Sequence, residues 1–387
     1  MGSAKPSQVK RISENHKPFT MKYQMDILCD IRSVLFTGNM FKKQAKYFVL
    51  VFVAVFVVSC QTARLPKTCT ILTSEYIFAE TPFKQCHAST ITELKDGSLM
   101  ASWFGGSYEG SSDVGIWTSI KQGASWSIPM EIANGEINDT LRYPCWNPVL
   151  FRNSHGILFL FYKVGPNPRE WWGMQITSTD EGKTWSKPER LPEGILGPIK
   201  NKPLLLKSGV ILSPSSTETN TRWQSFIERS EDGGKSWHKI PVDTVNPAKV
   251  IQPTLLLFPH GKIQALLRSN QDYIMESWSE DEGKTWSPMQ KTNVLNPNSG
   301  IDAVTLSSGQ QVLVYNPMQS GAEWVKGRNK LNLAVSTDGI NWKDVAELEN
   351  QPEGEFSYPS VIETSDKKLH VVYTANRKRI RHVAMIL

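Results

Sequence analysis

Short apolar strands recur along the chain in pairs, and a tight turn joins the two strands of each pair. A polar residue, often followed by proline, precedes the first strand of most pairs. Successive copies start 50 to 60 residues apart, and a repeat of about 50 residues with two hairpins is typical of a four-stranded propeller blade. The pattern therefore predicts an all-β, six-bladed β-propeller over residues 71–387. The six copies open at His87, Asn147, Lys202, Gln252, Asp302 and Tyr358.

A shorter motif marks the outer part of each repeat. It reads Ser-x-Asp-x-Gly-x-Thr/Ser-Trp and is complete at 178–185, 230–237 and 279–286. At 119–126 a lysine replaces the aspartate, and at 336–342 the motif is one residue short. The aspartate accepts backbone N–H groups, the glycine supplies a positive φ and the tryptophan packs on the sheet, so the motif predicts a hairpin turn at the rim. The sixth repeat lacks the motif, and we expect a strand at 71–79 to complete that blade and close the ring.

The repeat also predicts which side chains meet at the axis of the propeller. If the hairpins are equivalent, the six residues that open the inner strands point into one central mouth. Convergent polar groups at such a mouth are a candidate ligand site, although these residues could also simply begin strands near solvent. A second tier, at the end of the paired strands, would be Phe104, Lys163, Ser215, Arg268, Asn316 and Thr374.

Charge and cysteine content restrict the class of function. The formal net charge of +6 arises within residues 1–60, which hold nine Lys or Arg and three Asp or Glu. The rest of the chain is neutral overall and has no basic footprint for nucleic acid. Beyond residue 60, Cys69, Cys86 and Cys145 allow one disulfide at most and show no metal-binding spacing. We therefore expect no metal or other cofactor. We also expect the protein to be a monomer.

An N-terminal segment is similar to a bacterial export signal. A basic stretch at 40–46 precedes an apolar run at 47–58, which is too short to span a bilayer because a span needs about 20 residues. The sequence Val57-Val58-Ser59-Cys60 resembles a lipobox. We expect residues 40–60 to be a lipoprotein signal peptide with Cys60 lipidated, residues 61–70 to be a linker, and the protein to be exported and anchored to a bacterial membrane. Residues 1–39 fit no signal pattern, so we expect them to be either an upstream extension, with Met40 as the true start, or a disordered segment.

With its boxes and hairpins, the chain at about 75–387 resembles the sialidase (neuraminidase) superfamily, specifically its six-bladed Asp-box members. The resemblance implies three arginines that hold a substrate carboxylate, a tyrosine nucleophile with a glutamate partner, and an acid/base residue on a first-blade loop. Tyr358 matches the tyrosine that opens the last hairpin, and Arg268 matches the arginine that closes the fourth. Arg328 fits the remaining downstream arginine, with Lys330 as an alternative.

Three positions depart from the superfamily pattern. The first arginine falls on His87, the glutamate that normally supports it falls on Thr374, and the glutamate that activates the tyrosine falls on Gln252. The acid/base loop at 104–113 offers Glu109 and Asp113, of which Glu109 lies nearer the expected place. Substrate contacts are also expected from the ring residues Asn147, Lys163, Lys202 and Asp302.

The chemistry of these residues favours an anionic sugar as substrate. A tyrosine nucleophile does not repel an anion, but with a reference pKa of about 10 it needs a base. Gln252 cannot take a proton, whereas His87 can if the fold brings it close to Tyr358. Arg268 offers a planar fork for a carboxylate; alternatively, it serves as a structural partner of a nearby acid.

Two classes of function stay open on the sequence alone. The first is a carbohydrate-active enzyme for a terminal acidic sugar of a glycan: an exo-α-sialidase-like hydrolase, a hydrolase of another acidic sugar, or a uronate lyase that uses His87 and Tyr358 as base and acid. The second is a surface glycan-binding propeller that has lost catalysis, consistent with Gln252. The acid candidates and His87 favour the enzyme. Loop tryptophans that either stack on sugars or pack in the core are Trp171, Trp172 and Trp324.

Overall fold

A computed structural model describes residues 68–242, 249–320 and 326–387 of the chain. Strand β1 (Thr70–Tyr76) comes first, and blade 1 follows with β2 (Gln85–Glu93), β3 (Leu99–Gly106), β4 (Gly115–Gln122), β5 (Ser125–Trp126) and β6 (Met130–Ala133). A small hairpin of β7 (Glu136–Asn138) and β8 (Leu141–Arg142) leads to blade 2, with β9 (Cys145–Arg152), β10 (Leu158–Val164), β11 (Trp172–Ser178) and β12 (Glu189–Arg190). Blade 3 contains β13 (Leu204–Leu205), β14 (Ile211–Glu218), β15 (Trp223–Ser230) and β16 (His238–Pro241).

The second half of the ring repeats this order. Blade 4 contains β17 (Val250–Leu257), β18 (Ile263–Ser269), β19 (Tyr273–Ser279) and β20 (Gln290–Leu295). Blade 5 contains β21 (Asp302–Thr305), β22 (Gln311–Tyr315), β23 (Lys330–Ser336) and β24 (Lys343–Asn350), and blade 6 contains β25 (Phe356–Glu363), β26 (Leu369–Ala375) and β27 (Arg379–Ile386). The described residues thus form six antiparallel blades, and the predicted all-β, six-bladed propeller is confirmed.

The N-terminal strand closes the ring. β1 pairs antiparallel with β27, and the order in this sheet is β1-β27-β26-β25. The expected strand therefore completes the sixth blade, but it ends at Tyr76 rather than at residue 79. Ile77 and Phe78 follow the strand and are buried in the cluster that contains Trp103 of blade 1. These two buried residues thus pack the segment between β1 and β2 against blade 1.

The hydrophobic core lies between neighbouring blades. One cluster joins Val312 and Leu333 of blade 5 to Val361 and Val371 of blade 6, and similar clusters join blades 1 and 2 and blades 3 and 4. Each fully buried aliphatic side chain of this kind contributes about 1.5–3 kcal/mol through its removal from water. Since every blade packs on both neighbours, the inner strands are held in fixed positions around the axis.

The Asp-box turns form as the motif predicts. In the fourth-blade copy, Asp281 Oδ1 accepts the backbone N–H groups of Lys284 at 3.0 Å and Thr285 at 2.9 Å, and Oδ2 accepts the Thr285 hydroxyl at 2.6 Å. Slight burial raises the pKa of Asp281, but these hydrogen bonds outweigh it and bring the pKa to about 2. In the first copy Lys121 replaces the aspartate and donates instead to Glu75 of β1, at 2.7 Å. The degraded box therefore helps to hold the closing strand.

Four inner strands bend at the point where they open toward the mouth. Ala88, Asn147, Gln252 and Tyr358 have positive φ angles between 39° and 55°, and the pairing register shifts there. Such bulges re-aim side chains and are frequent next to functional sites. The predicted equivalence is off by one residue in blade 1, because Ala88, and not His87, occupies the place of Gln252 and Tyr358. His87 is instead equivalent to Ser357, the residue before Tyr358.

The predictions for the N-terminal segment concern residues outside the described part of the chain. These are the upstream segment at 1–39, the signal peptide at 40–60, the lipid site at Cys60 and most of the linker at 61–70. They stay predictions, and the mass of the mature N-terminus would test them. In the described ranges no helix has the length and apolarity to span a membrane. In the same ranges Cys69, Cys86 and Cys145 are free thiols.

Candidate functional site

Three side chains from blades 4 and 6 form the centre of the candidate site. Arg268, near the end of β18, donates from Nη1 to Tyr358 Oη at 2.7 Å. Gln252, at the β17 bulge, donates from Nε2 to the same phenolic oxygen at 3.2 Å, and its Oε1 accepts from Arg268 Nη1 at 3.2 Å. Because a guanidinium can only donate, the contact with Arg268 fixes which end of the Gln252 amide faces Tyr358. Two donors are therefore aimed at the oxygen expected to act as nucleophile.

His87 lies against this group from blade 1. Its ring centre is 4.2 Å from that of Tyr358, with the ring planes inclined by 49°. Nδ1 is 2.9 Å from Thr374 Oγ1, so Thr374 supports His87 at the position where the superfamily pattern has a glutamate supporting an arginine. Burial and then the charge of Arg377 hold the pKa of His87 well below its ordinary 6.5. The ring is therefore neutral near pH 7.

A partly buried ion-pair network borders the site on its blade 6 side. Glu355 Oε1 accepts from Arg328 Nη1 at 3.0 Å, and Oε2 accepts from Arg377 Nε at 2.8 Å. Burial raises the pKa of Glu355, but the His87 ring and the charges of Arg377 and Arg328 outweigh it and bring the pKa to about 2. Only 2% of the Arg328 side chain is exposed, and its Nη2 donates to the Asn298 carbonyl oxygen at 3.0 Å. Arg328 thus stands behind the pocket surface and supports it.

Arg377 and Glu355 are functional candidates that the sequence reasoning missed. Arg377 lies in the turn after β26 and forms ion pairs with both Glu355 and Glu109. Burial lowers the pKa of Arg377, but the charges of Glu109 and Glu355 raise it above its ordinary value. The available signal was position: Arg377 follows Thr374 by three residues, and Glu355 precedes Tyr358 by three. Both lie on segments that connect the strands, where the repeat predicts no position.

The two acid candidates of the first-blade loop differ in their surroundings. Asp113 Oδ2 accepts from the Ser107 backbone N–H at 2.9 Å and the Ser107 hydroxyl at 2.7 Å. Slight burial raises the pKa of Asp113, but hydrogen bonds from Ser111 and Ser107 lower it below its ordinary value. These contacts within the loop indicate that Asp113 orders it. Glu109 is exposed and paired with Arg377, and it remains the candidate acid.

Three predicted substrate contacts are engaged with the protein itself. Lys202 Nζ donates to Asp302 Oδ2 at 2.8 Å, and Asp302 Oδ1 accepts from Thr254 Oγ1 at 2.9 Å. Lys163 is fully buried and donates to the Pro198 carbonyl oxygen. Burial lowers the pKa of Lys163 to about 7. Their positions correct the expectation of an open ring, because charged groups that enter the channel must find partners there.

A further buried lysine, Lys200, was not identified from the sequence. Its Nζ donates to Asn201 Oδ1 at 2.8 Å and to the carbonyl oxygens of Ile301 and Pro359 at 2.9 and 2.6 Å. Burial lowers its pKa to about 7. The ammonium group lies 5.8 Å from the ring centre of Tyr358, so it adds positive potential beneath the phenol.

Of the remaining ring residues, some face the candidate site and others make contacts only within the protein. Asn147 has the same bulged conformation as Tyr358, and its side-chain amide has no hydrogen-bond partner among the described residues. In the second tier, Phe104 packs on His87 with ring centres 5.6 Å apart. Ser215 donates to Glu228 and Asn316 donates to the Phe356 carbonyl oxygen, both within the protein. The described residues include no cluster of three or more metal-ligating side chains.

Comparisons with known proteins place this architecture in a family. The model of the BNR repeat-like domain matches residues 97–371. A sialidase of Bacteroides fragilis strain YCH46 is 23% identical over 315 residues, covering 68% of this chain and 54% of that protein. An anhydrosialidase of Macrobdella decora is 25% identical over 222 residues, covering 51% of this chain and 28% of that protein. The chain thus spans about half of the first relative and just over a quarter of the second.

A crystal structure of a protein of unknown function from Dyadobacter fermentans DSM 18053 shares the fold. It has a TM-score of 0.67 at 15% identity, and the match covers 84% of this chain and 100% of that chain. With the family match over most of the propeller and the six blades described above, the chain belongs to the BNR repeat-like domain family, within the sialidase superfamily of six-bladed propellers.

Proposed function

We propose that the protein is a sialidase-like glycoside hydrolase that removes a terminal acidic sugar from a glycan. The observation that carries the proposal is the 2.7 Å contact between Arg268 Nη1 and Tyr358 Oη. This contact puts a carboxylate-binding guanidinium beside a tyrosine nucleophile. The sialidase and anhydrosialidase among the relatives support the same class of reaction.

The charges around the pocket favour an anionic ligand. Three arginines, at 268, 328 and 377, stand against the two carboxylates of Glu109 and Glu355, and the Lys200 ammonium adds to the positive side. Arg268 Nη2 makes no hydrogen bond with any described residue. A sugar carboxylate would occupy this free donor and offset the surplus charge, which is the task that suits guanidinium geometry.

The proposed reaction uses Tyr358 and Glu109 on opposite sides of the glycosidic bond. Tyr358 Oη attacks the anomeric carbon, the bond to the leaving oxygen breaks, and Glu109 protonates that oxygen. The phenolic proton passes to His87, a neutral base in contact with Tyr358. Water then attacks the anomeric carbon while Glu109 takes a proton from the water, the bond to Tyr358 Oη breaks, and the phenolate regains its proton from His87. His87 thereby takes over a task for which Gln252 has no suitable lone pair.

A second candidate is elimination from a uronate-linked glycan, which the contact between His87 and Tyr358 specifically favours. The His87 imidazole packs on the Tyr358 phenol, so this reaction would use the first as base and the second as acid within one pocket. In this reaction His87 takes the proton next to the carboxylate, an unsaturated bond forms, and Tyr358 protonates the leaving oxygen. Arg268 has the same role in both candidates, because it would hold the carboxylate.

The variant Arg268→Ala tests the anionic-sugar proposal. Loss of a charge-assisted contact costs about 3 kcal/mol, so kcat/KM on the preferred substrate should fall roughly a hundredfold. Lys207→Ala, which removes an exposed cation from the turn before β14, should leave activity unchanged. Equal activity of a correctly folded Arg268→Ala protein and wild type would contradict the proposal.

The products distinguish the candidate reactions. Wild-type protein is incubated with 3′-sialyllactose and, separately, with uronate-capped oligosaccharides. Free sialic acid or a free saturated uronate supports hydrolysis, and the ultraviolet absorbance of an unsaturated uronate supports elimination. Retention of either glycan on immobilised protein without turnover would contradict both and indicate a binding propeller.

A further inference from the structure

A groove opens directly beside Arg268 on the same face as the pocket. It has a volume of about 400 Å³, and Glu218, Trp223 and Asn298 form part of its wall. Asn298 Oδ1 accepts from Arg268 Nε at 2.7 Å, and the Trp223 ring centre lies 6.0 Å from Arg268 Cζ. Asn298 therefore lines the groove and also contacts Arg268 of the candidate site.

The groove continues outward across blades 2 and 3. Arg169 and Glu218 line the inner stretch and also a second stretch of about 230 Å³, which reaches Trp172 and Arg190. The Arg190 guanidinium lies 5.0 Å from the ring centre of Trp172. The two stretches thus lie side by side, and each has a half-buried indole in or beside its wall, Trp223 in the inner stretch and Trp172 in the outer one.

Several polar side chains along the groove have no partner within the protein. Among the described residues, the side chains of Arg169, Glu218, Lys249 and Asn270 make no hydrogen bond or ion pair. Glu218 is half-buried, and burial raises its pKa even though the charges of Arg268 and Arg169 oppose the shift. Lys249 is also half-buried, whereas Arg169 and Asn270 are exposed. Partly buried polar groups normally find partners, so the unengaged Glu218 and Lys249 fit a ligand that brings its own hydroxyl groups.

Sugar rings present apolar C–H faces and polar edges. The indole rings of Trp223 and Trp172, together with the unengaged polar side chains near them, would suit such a ligand. The charges narrow the class of sugar. Cations outnumber carboxylates along the groove, with Arg169, Arg190, Lys239 and Lys249 against Glu193 and Glu218. A positive surplus favours a chain that carries further negative charge beyond its terminal residue.

We propose that this groove is a subsite for the sugar units that follow the terminal residue in an acidic oligosaccharide. The inference rests on the proposed function for the position of the terminal sugar at Arg268. It goes further in stating that the protein recognises an extended anionic glycan and not only the end of one. Affinity should therefore increase from an acidic monosaccharide to the corresponding acidic trimer.

Calorimetric titration of the whole protein tests this inference. The probes are sialic acid with its α2,8-linked trimer, galacturonate with its trimer, and the neutral tetrasaccharide lacto-N-tetraose. For wild type we expect at least one acidic trimer to bind tenfold or more tightly than its monosaccharide, and the neutral sugar to bind more weakly than that trimer. Arg169→Ala and Lys249→Ala, which each remove a cation from the groove, should each remove most of the trimer's advantage and leave monosaccharide binding unchanged. Lys207→Ala, with the same loss of charge as Arg169→Ala, should change neither.

The outcomes separate the two proposals. If an acidic monosaccharide binds but its trimer gains nothing, or both groove variants bind the trimer as wild type does, the groove inference is wrong and the proposed function stands. If no acidic sugar binds, both are wrong. Tighter binding of the neutral tetrasaccharide than of either acidic trimer would also overturn the inference. Thermal melting of each variant shows whether the fold is intact, and the monosaccharide titration gives an internal check on the pocket.

Discussion

Gln252 donates a hydrogen bond to Tyr358 at a position where the superfamily pattern has a glutamate that would accept the phenolic proton. The amide also accepts from Arg268, so it links the guanidinium and the phenol while adding no charge. His87 of blade 1 and Thr374 of blade 6 show a matching exchange, in which a neutral pair stands where the superfamily pattern has an arginine and its carboxylate. Both exchanges keep polar groups satisfied while they change which residue can take a proton.

Gln252→Glu tests whether Tyr358 acts as a nucleophile that lacks a strong base. The new carboxylate would accept the phenolic proton and keep its contact with Arg268. Since general bases contribute about 10²-fold or more, we expect the rate of sialoside or other acidic-glycoside hydrolysis to rise at least about tenfold. The measurement is kcat with a chromogenic glycoside. Gln252→Met, which keeps the size but removes both hydrogen bonds, should be slower than wild type. A Gln252→Glu protein no faster than Gln252→Met would argue against the nucleophile.

For individual site residues, the sequence predicts those that occupy equivalent positions in the repeats, but it does not predict those that lie outside the repeats. Tyr358 and Arg268 follow from the hairpin register, and the structure brings them to 2.7 Å. The register of His87 was wrong by one residue, because the bulge is defined by the positive φ of Ala88 and not by the first polar residue. Arg377 and Glu355 belong to connecting segments without a repeat, so only the closed ring shows that they meet.

Among structural elements, the Asp-box hairpins are the most local and therefore the best predicted. Ser279, Asp281 and Thr285 interact within one turn, so their spacing in the sequence is enough to define the structure. The inner strands are less predictable. Lys202 and Asp302 both open a strand, yet they meet each other across the channel at 2.8 Å, a contact between residues 100 positions apart that no local pattern indicates.

Asp281→Ala should weaken this turn without changing the fold. The carboxylate resembles a helix cap in accepting several backbone N–H groups, so its removal should cost about 1 kcal/mol and lower the Tm by roughly 1–2 °C in a propeller of this size. Differential scanning calorimetry measures the change. Lys284→Ala is the matched control, because it alters the same exposed turn but keeps the backbone N–H that Asp281 accepts. A drop in Tm for Lys284→Ala equal to that for Asp281→Ala would show that the carboxylate contributes nothing specific.

In the molecule as a whole, closure of the ring depends on a chain of polar contacts between β1 and blade 6. Glu75 Oε1 on β1 lies 3.0 Å from His382 Nδ1, and His382 Nε2 lies 2.9 Å from His370 Nδ1. Several hydrogen bonds and the charge of Lys121 lower the pKa of Glu75 despite its partial burial, so this ionised carboxylate can only accept. His382 therefore carries its proton on Nδ1 when neutral, and its Nε2 accepts from His370 Nδ1. The chain works with both rings neutral.

Acid should therefore weaken the closed propeller through His370. Burial, followed by the charges of His382, Lys368 and Lys121 against that of Asp366, lowers the pKa of His370 from 6.5 to about 4. Between these values the unfolded chain binds a proton that the folded chain does not, so the free energy of unfolding falls as pH drops below 6.5, by up to about 1.4 kcal/mol per pH unit for one such group. Urea denaturation at pH 7, 6 and 5 measures this slope. His370→Gln should make the slope shallower whatever its effect at pH 7, whereas His155→Gln, in an exposed turn, should not. An unchanged slope in His370→Gln would exclude His370 as an acid-sensitive group in the closing blade, because removing the group must also remove its proton uptake on unfolding.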